Sequence, residues 1–441
     1  MKGDSMIHNQ EFIIRKSDIA NPQSLPELIE TLVSGDVLRW YVSKVTADEL
    51  VVEATLYSEH LADPPESVLG QFYPGKSAVL NIVPTGVGCD IGGYAGDAGP
   101  ATALLASCCD YLVTNPNAVN ASNFILMDKN LVYTEGYCID LFSRGLINLH
   151  LPYSNKIGLI IEKTDAEHLD VVFNILNTVR AVYGVNIEEF VITDEAIGGR
   201  CIQHSSGSYV GSIDNPATLF RACEQLIAKG VTAIAVTSNI QDLPADSYAE
   251  HFSGRHPNPV GGAEAIISHL IAKKYRLPAA HAPMINLKQI DLEDPIVDAR
   301  GAGEITSHSG MASVLIGLAQ APQITARPTC RIADTININN VVAVVTPASA
   351  LGGIPVLYAQ KFNIPVIAVH NNATILEITP DRFPLNTVIE VQNYAEAAGI
   401  IMALKRGLNL KSILRPLETL RYQRQAVATT VVNDAMIAEL A

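Results

Sequence analysis

AVLNIVPTGVGCDIGGYAGDAG (78–99) is the stretch on which the fold turns. Its opening, AVLNIV, is a short unbroken apolar run, the pattern of a strand covered on both faces in a parallel sheet. A glycine-rich loop follows. GPATALLASCCDYLV (99–113) then reads as one helix with Pro100 in its first turn, where a missing N–H leaves no bond unmade. The same order recurs twice. TAIAVT (232–237) leads through a longer loop to NPVGGAEAIISHLIA (258–272), and VVAVVT (341–346) leads through PASALGG to IPVLYAQK (354–361). Each time an apolar strand reaches a helix through a loop holding a glycine pair: Gly92-Gly93, Gly261-Gly262 and Gly352-Gly353.

Outward from these segments the rhythm continues. NFILM (123–127), IGLIIE (157–162), EEFVIT (188–193), LPAAHA (277–282) and IPVIAV (364–369) read as strands. Helical periodicity covers 165–183, 216–229, 263–275, 311–319, 355–362 and 395–405. Alternation of this kind predicts an α/β fold, with mostly parallel, doubly wound sheets in two lobes. Residues 1–70 differ: FIIRKSD, LPELIETLVSG, RWYVSKVT and ELVVEATLYS read as strand, helix, strand, strand, a small α+β unit that carries Trp40. ADPPESV (62–68) is the expected linker. The expected division is therefore 1–70, a first α/β lobe over 71–240, and a second over 241–441 with a helical tail. A chain beginning near Ser67 is expected to stay folded on its own core.

Charged residues make up 17% of the 441, against roughly 25% for an ordinary soluble chain. So little charge implies extensive burial, in a parallel sheet and in a homo-oligomer interface. The net charge of -15 repels phosphate backbones and anionic membrane surfaces, which argues against nucleic-acid or membrane partners. A small anionic metabolite is still accommodated, because helix N-termini make local positive ends in an acidic protein. Seven cysteines with no CxxC pair argue against a disulfide framework and a zinc ribbon. The N-terminal MKGDSMIHNQEF lacks the apolar core of a signal peptide, and the apolar run 341–369 is broken by Pro347, Gly352, Gly353, Pro355 and Pro365. A cytoplasmic location is expected.

The glycine loops are the expected ligand site. Glycine lets backbone N–H groups approach a ligand, and loops at the carboxyl ends of parallel strands are where such sheets bind. Pro84 and Pro347 each directly follow a strand, so their loops read as equivalent and as facing one cleft. The candidate ligand-binding residues are Gly86, Gly88, Gly92, Gly93, Gly261, Gly262, Ser349, Gly352 and Gly353, with His370 and Asn371 at the end of IPVIAV. Gly86-x-Gly88-x-x-x-Gly92 is one residue too long for the dinucleotide fingerprint, and Asp128 lies about 40 residues on rather than about 20. No GKS/T run marks a nucleotide phosphate loop.

The runs VPTGVGCDIGGYAGDA (83–98), NPVGGAEAIISHLIAKKYRLPAAHAP (258–283) and TPASALGGIPVLYAQKFNIPVIAVHNNATIL (346–376) together resemble the DUF3326 family, bacterial proteins, many of them cyanobacterial, without an assigned function. The resemblance covers roughly 75–385. Members often carry a Cys before the last glycine pair, where this chain has Ala350-Leu351. The resemblance implies no mechanism.

Four residues are the candidate catalytic groups. Asp90 and Asp97 flank the first glycine pair, as base, hydroxyl anchor or helix cap, with Cys89 beside them as a thiol or a small packing residue. Glu264 sits in the first turn after Gly261-Gly262, where the helix dipole alone stabilises a carboxylate. His281, in LPAAHAP, ends a strand at the ligand edge of the sheet and is the leading histidine, ahead of His204 in QHSSGS and His370. His269 lies about 140° round the helix from Glu264 and is expected in a different environment. Glu304 and His308 share an i, i+4 spacing, too little to assign a metal, and no cofactor is assigned. There is no HExxH and no GxSxG. Carboxylates and imidazoles without a redox or nucleophile motif suit lyase or isomerase chemistry on a small anionic metabolite. The rival expectations are a non-catalytic small-molecule sensor and an NAD-dependent oxidoreductase. His281 and Asp90 are expected to share one site.

Overall fold

The computed structural model describes residues 6–84, 86–91, 97–116, 129–241, 247–284, 292, 294–303, 309–324, 332–413 and 415–421. The expected strand 123–127, Asp128, Gly92, Gly93, Glu304 and His308 lie outside the described residues. The chain opens with β1 (Ile7–Arg15), α1 (Leu25–Leu32), β2 (Asp36–Val45) and β3 (Glu49–Tyr57), whose strands form an antiparallel sheet in the order β1-β3-β2. This is the small α+β unit.

Then come β4 (Ala78–Asn81), α2 (Gly99–Ala106), β5 (Tyr111–Thr114), β6 (Leu131–Tyr133) and α3 (Gly136–Ser143). Here one expectation is corrected. Residues 99–113 are not one helix: α2 stops at Ala106, and Tyr111–Thr114 is a strand. Asp110 supplies the break, because its carboxylate accepts the Ser77 N–H and hydroxyl at 2.8 and 2.5 Å, tying the turn to the start of β4.

After β7 (Leu149–Pro152) a second parallel system begins, with β8 (Ile157–Ile161), α4 (Ala166–Tyr183), β9 (Ile187–Ile192), the hairpin β10 (Gly199–Gln203) and β11 (Tyr209–Ile213), α5 (Pro216–Ala228), β12 (Ala233–Ser238), β13 (Ile240–Gln241), α6 (Ser247–Phe252), α7 (Gly261–Tyr275) and β14 (Ala279–Pro283). Local chemistry sets these bounds. Asp165 caps α4 by accepting the His168 N–H, and Gly184 ends it in the left-handed region. The remaining elements are α8 (Ser309–Ala319), β15 (Ile332–Ile336), β16 (Val341–Pro347), α9 (Ile354–Lys361), β17 (Val366–Val369), β18 (Val388–Val391) and α10 (Tyr394–Lys405).

Two parallel sheets result. The larger has the order β18-β17-β16-β4-β5-β6, and the smaller β14-β12-β8-β9. In the larger sheet the chain winds one way through β4, β5 and β6 and the other way through β16, β17 and β18. The reversal between β4 and β16 is a topological switch point. The Pro84 and Pro347 loops thus leave adjacent strands of one sheet. The smaller sheet is inserted between its halves, and the two crossings, β7 and β15, pair antiparallel. Strands from both sides of position 240 hydrogen-bond to each other in both sheets.

The period-2 alternation of strand side chains sorts the core into layers. Val79, Leu112, Ala343, Val345 and Ile367 bury one face of the larger sheet against α2 and α10. Leu80, Val113, Val344, Val366 and Ala368 bury the other against α3, α9 and the N-terminal unit, which contributes Ile14, Trp40, Val42 and Leu50 to the same core. In the smaller sheet Leu159, Ala235 and Ala280 face α4 and α8, whereas Ile160, Ile234, Val236 and Ala279 face α5 and α7.

Candidate functional site

Strand parity places the site. His281 shares the side of β14 that carries Ala279, and Ser238 the side of β12 that carries Ile234 and Val236, so both point towards α7. Their register, Val236 opposite His281 and Ser238 opposite Pro283, makes Ser238 and His281 diagonal neighbours at the carboxyl ends of the strands. The His281 Nε2 lies 2.8 Å from the Ser238 hydroxyl, and its Nδ1 lies 3.3 Å from a carboxylate oxygen of Glu264 in the first turn of α7. The result is a serine–imidazole–carboxylate chain. Ser238 and the His281 side chain are wholly buried, while Glu264 is 17% exposed, so the chain opens to solvent at its acidic end.

The larger sheet contributes Tyr133, at the end of β6. Its ring packs on Gly317 of α8, and its hydroxyl is buried without a hydrogen-bond partner among the described residues. Burial, and then the Glu264 charge, push its phenol far up, so it is a neutral donor at any physiological pH. Burial followed by the same carboxylate pushes the Cys201 thiol up to about 12. With the imidazole proton on Nδ1 facing Glu264, Nε2 accepts from Ser238, the arrangement in which an acid orients a proton-carrying histidine.

The first glycine loop roofs this region. The Gly86 carbonyl accepts the Tyr209 N–H at 2.9 Å, and a Cβ at Gly86 would lie 3.7 Å from the Gly262 nitrogen. Gly88 packs on Pro257, in the loop before α7. Asp90 turns elsewhere: its carboxylate accepts the Ala373 N–H at 3.1 Å and lies 3.9 Å from Arg300. No described contact joins Asp90 to His281. Asp97 lies beside Cys89 and Tyr394, and the N-cap of α2 is Ala98 rather than Asp97. Cys89 is fully buried, and burial, reinforced by Asp97 and Asp90, pushes its thiol well up, which makes it a packing residue.

One glycine of each described pair faces protein backbone. A Cβ on Gly262 would sit 2.5 Å from the Tyr209 carbonyl oxygen, and one on Gly352 would sit 2.1 Å from that of Val42. Gly261 opens α7 and is buried, and Gly353 forms an isolated bridge with Tyr41 of β2. Ser349 meets the Thr374 hydroxyl at 2.9 Å, tying the loop after β16 to the loop after β17. His370 pairs with Glu390 at 2.8 Å on an exposed edge, and the Asn371 N–H donates to Gln392. His269 meets Glu135, capping α3, rather than the Glu264 site.

Sequence reasoning missed Ser238, Tyr133 and Asn372. Ser238 directly follows TAIAVT, one residue beyond the expected strand, and that position was its only signal. Asn372, not Asn371, is the buried amide. It accepts the Ile91 N–H at 2.8 Å and donates to the Ile91 carbonyl at 3.0 Å, fixing the first loop to the end of β17.

No solved structure matches the chain. A protein described as an uncharacterized lipoprotein of Synechococcus sp. (strain ATCC 27144) is 36% identical over 330 residues, covering 74% of this chain and 90% of that protein. Residues 77–414, from the start of β4 to beyond α10, match the family described as Protein of unknown function (DUF3326), and the chain belongs to that family.

Proposed function

We propose that the chain is an enzyme that moves protons on a small anionic metabolite, with Glu264, His281 and Ser238 as its relay. The observation that carries this reading is the exposed acidic end. Both His281 nitrogens are engaged, one with Glu264 and one with Ser238, so a substrate exchanges protons through Glu264, the member that reaches solvent. Glu264 is the contacting base or acid, His281 stores and orients the proton behind it, and Tyr133, within range of the Glu264 charge, is a neutral donor. The site lies within the first turn of α7, whose dipole favours an anionic substrate group. Lyase and isomerase reactions need only this equipment.

Incubating the protein in D2O with a panel of small carboxylic and phosphorylated acids tests the reading by NMR. At least one compound is expected to exchange carbon-bound hydrogen or convert to product. Glu264→Gln and His281→Asn should each slow this by about 10²- to 10⁴-fold. The double variant should lose little more than either single one, as groups acting in one relay do. Turnover undiminished in either variant overturns the relay, and binding without turnover in the wild type favours the sensor.

The order of the larger sheet, reading β6-β5-β4-β16-β17-β18, is that of dinucleotide-binding folds and supports the second reading, an NAD-dependent oxidoreductase. Titration with NADH, followed by fluorescence, separates the two. Our reading places the enzyme in the cytoplasm as a homo-oligomer, without nucleic-acid or membrane partners. No helix among the described residues is long and apolar enough to cross a membrane, whereas the Synechococcus relative's name, a lipoprotein, speaks for an anchored or extracytoplasmic form. Cell fractionation and light scattering decide both points.

A further inference from the structure

Away from the relay, three ligating side chains converge where the N-terminal sheet meets the β10–β11 hairpin. Glu11 of β1 and Glu53 of β3 stand directly opposite each other in the antiparallel register, and Tyr41 of β2 is opposite Glu53 on its other side. Two like charges facing each other across strands repel, and the fold retains both. From the hairpin, His204 reaches in: its Nδ1 lies 3.1 Å from a Glu53 oxygen and 3.6 Å from a Glu11 oxygen. One oxygen of each carboxylate and this nitrogen all lie within 4.8 Å of one another. Donor atoms about 2 Å from a tetrahedral ion sit about 3.3 Å apart, so the set is already near ligating geometry.

The polar atoms point to what the cluster holds. Glu53 is 3% exposed, and its Oε1 is buried with no hydrogen-bond partner among the described residues. The His204 Nδ1 is buried too, and although it is close to Glu53 it makes no well-aligned hydrogen bond. A buried polar group left unsatisfied has lost its water without gaining a partner, which destabilises the fold. The Glu53 oxygen facing His204 is Oε2, so a cation held by both Glu53 oxygens and by the His204 Nδ1 satisfies both orphans and cancels the repulsion between the glutamates. Arg39, 5.0 Å from the centre of the Tyr41 ring, forms no ion pair with either glutamate, and no Lys or Arg among the described residues is paired with them in its place.

The surroundings resemble the outer support of a metal centre. Tyr41 donates a short hydrogen bond to Glu53, and its oxygen meets Ser208 at 2.9 Å. The Ser205 hydroxyl donates to Glu11 at 3.1 Å. The hairpin turn is closed by backbone bonds from the His204 N–H to the Ser208 carbonyl at 2.8 Å and from the Gly207 N–H to the His204 carbonyl at 2.9 Å, so the backbone that carries the imidazole is held before any ion arrives. Glu11, 45% exposed, leaves a solvent side for entry and for water ligands.

We infer that Glu11, Glu53 and His204 form a binding site for a divalent transition-metal ion, which fastens the N-terminal unit to the hairpin. One imidazole and two carboxylates suit zinc or its neighbours better than calcium or magnesium, which prefer all-oxygen sets. The test uses full-length protein stripped with EDTA and titrated with Co²⁺, read by visible absorption and calorimetry. One equivalent per chain is expected, displaceable by Zn²⁺, and Zn²⁺ should raise the thermal midpoint. Glu11→Gln, at a half-exposed position where packing is not at stake, should weaken Co²⁺ binding by more than the ~10- to 100-fold that losing an outer-shell partner costs. His204→Gln should do the same. No stoichiometric uptake by the wild type, or unchanged affinity in Glu11→Gln, overturns the inference.

Discussion

Asp140, in α3, shows how one partly exposed but largely enclosed acid adds to the pH response of the chain. Burial pushes its carboxyl up to about 7, with the His269 charge opposing and that of Glu135 adding to the rise. In the unfolded chain the same group titrates near 3.9. Between these values the folded state binds the proton more tightly, so this group's contribution to stability falls as pH rises from about 4 to about 7 and is level above that. Asp140→Asn removes the dependence. The variant should match the wild type near pH 4 and melt higher at pH 8, as scanning calorimetry at the two pH values would show. A wild-type stability that climbs over this window, with no gain in the variant, contradicts the assignment. At this scale the sequence was partly legible. His281 and Glu264 stood out because a strand end and a first helical turn are positions with known chemistry. Ser238 and Tyr133 did not, because a serine after an apolar run and a tyrosine in LVY are ordinary until their hydrogen bonds, or lack of them, are seen.

The glycine-marked loops teach a different lesson. Strand, loop and helix recur at the first and third units, whereas β13 and α6 occupy the expected long loop of the second, and Gly262 and Gly352 owe their identity to neighbouring chain segments. Gly262→Ala and Gly352→Ala would each drive a methyl group against backbone rather than against a yielding side chain. Such overpacking costs typically 1–3 kcal/mol or more. Both variants should lower the urea midpoint with little change in slope. Full stability paired with lost ligand binding would instead return these glycines to the ligand site. The break at 107–110 was invisible for a related reason. TALLASCCDYLV carries no Gly or Pro, and the turn is imposed by Asp110 bonding to Ser77, a partner more than thirty residues away that periodicity cannot reveal.

For the molecule as a whole, alternation announced a parallel α/β fold but not that the chain would return to its first sheet. That return depends on β16 lying beside β4, and no local pattern encodes a partner so distant. The place of the N-terminal unit was equally hidden. Trp40, Val42 and Leu50 share a core with Leu80 and Val344, Gly353 bridges to Tyr41, and buried Lys273 of α7 pairs with Asp36. A chain beginning at Ser67 should therefore be insoluble or molten rather than independently folded, as dye binding and near-UV dichroism would report. A sharp melting transition in the truncated protein would show that the large sheet closes its own core.

The insertion of one sheet into the other also bears on how the protein is born. As the chain leaves the ribosome, β4, β5 and β6 emerge together, yet the neighbour that Ala78 pairs with, Val341, is made only after the entire inserted sheet. Until then β4 is an apolar edge with unpaired backbone groups, the kind that recruits other chains. The early half-sheet therefore waits in an adhesive state for most of synthesis, and expression yield should depend more on translation speed and chaperone supply than on the stability of the finished fold.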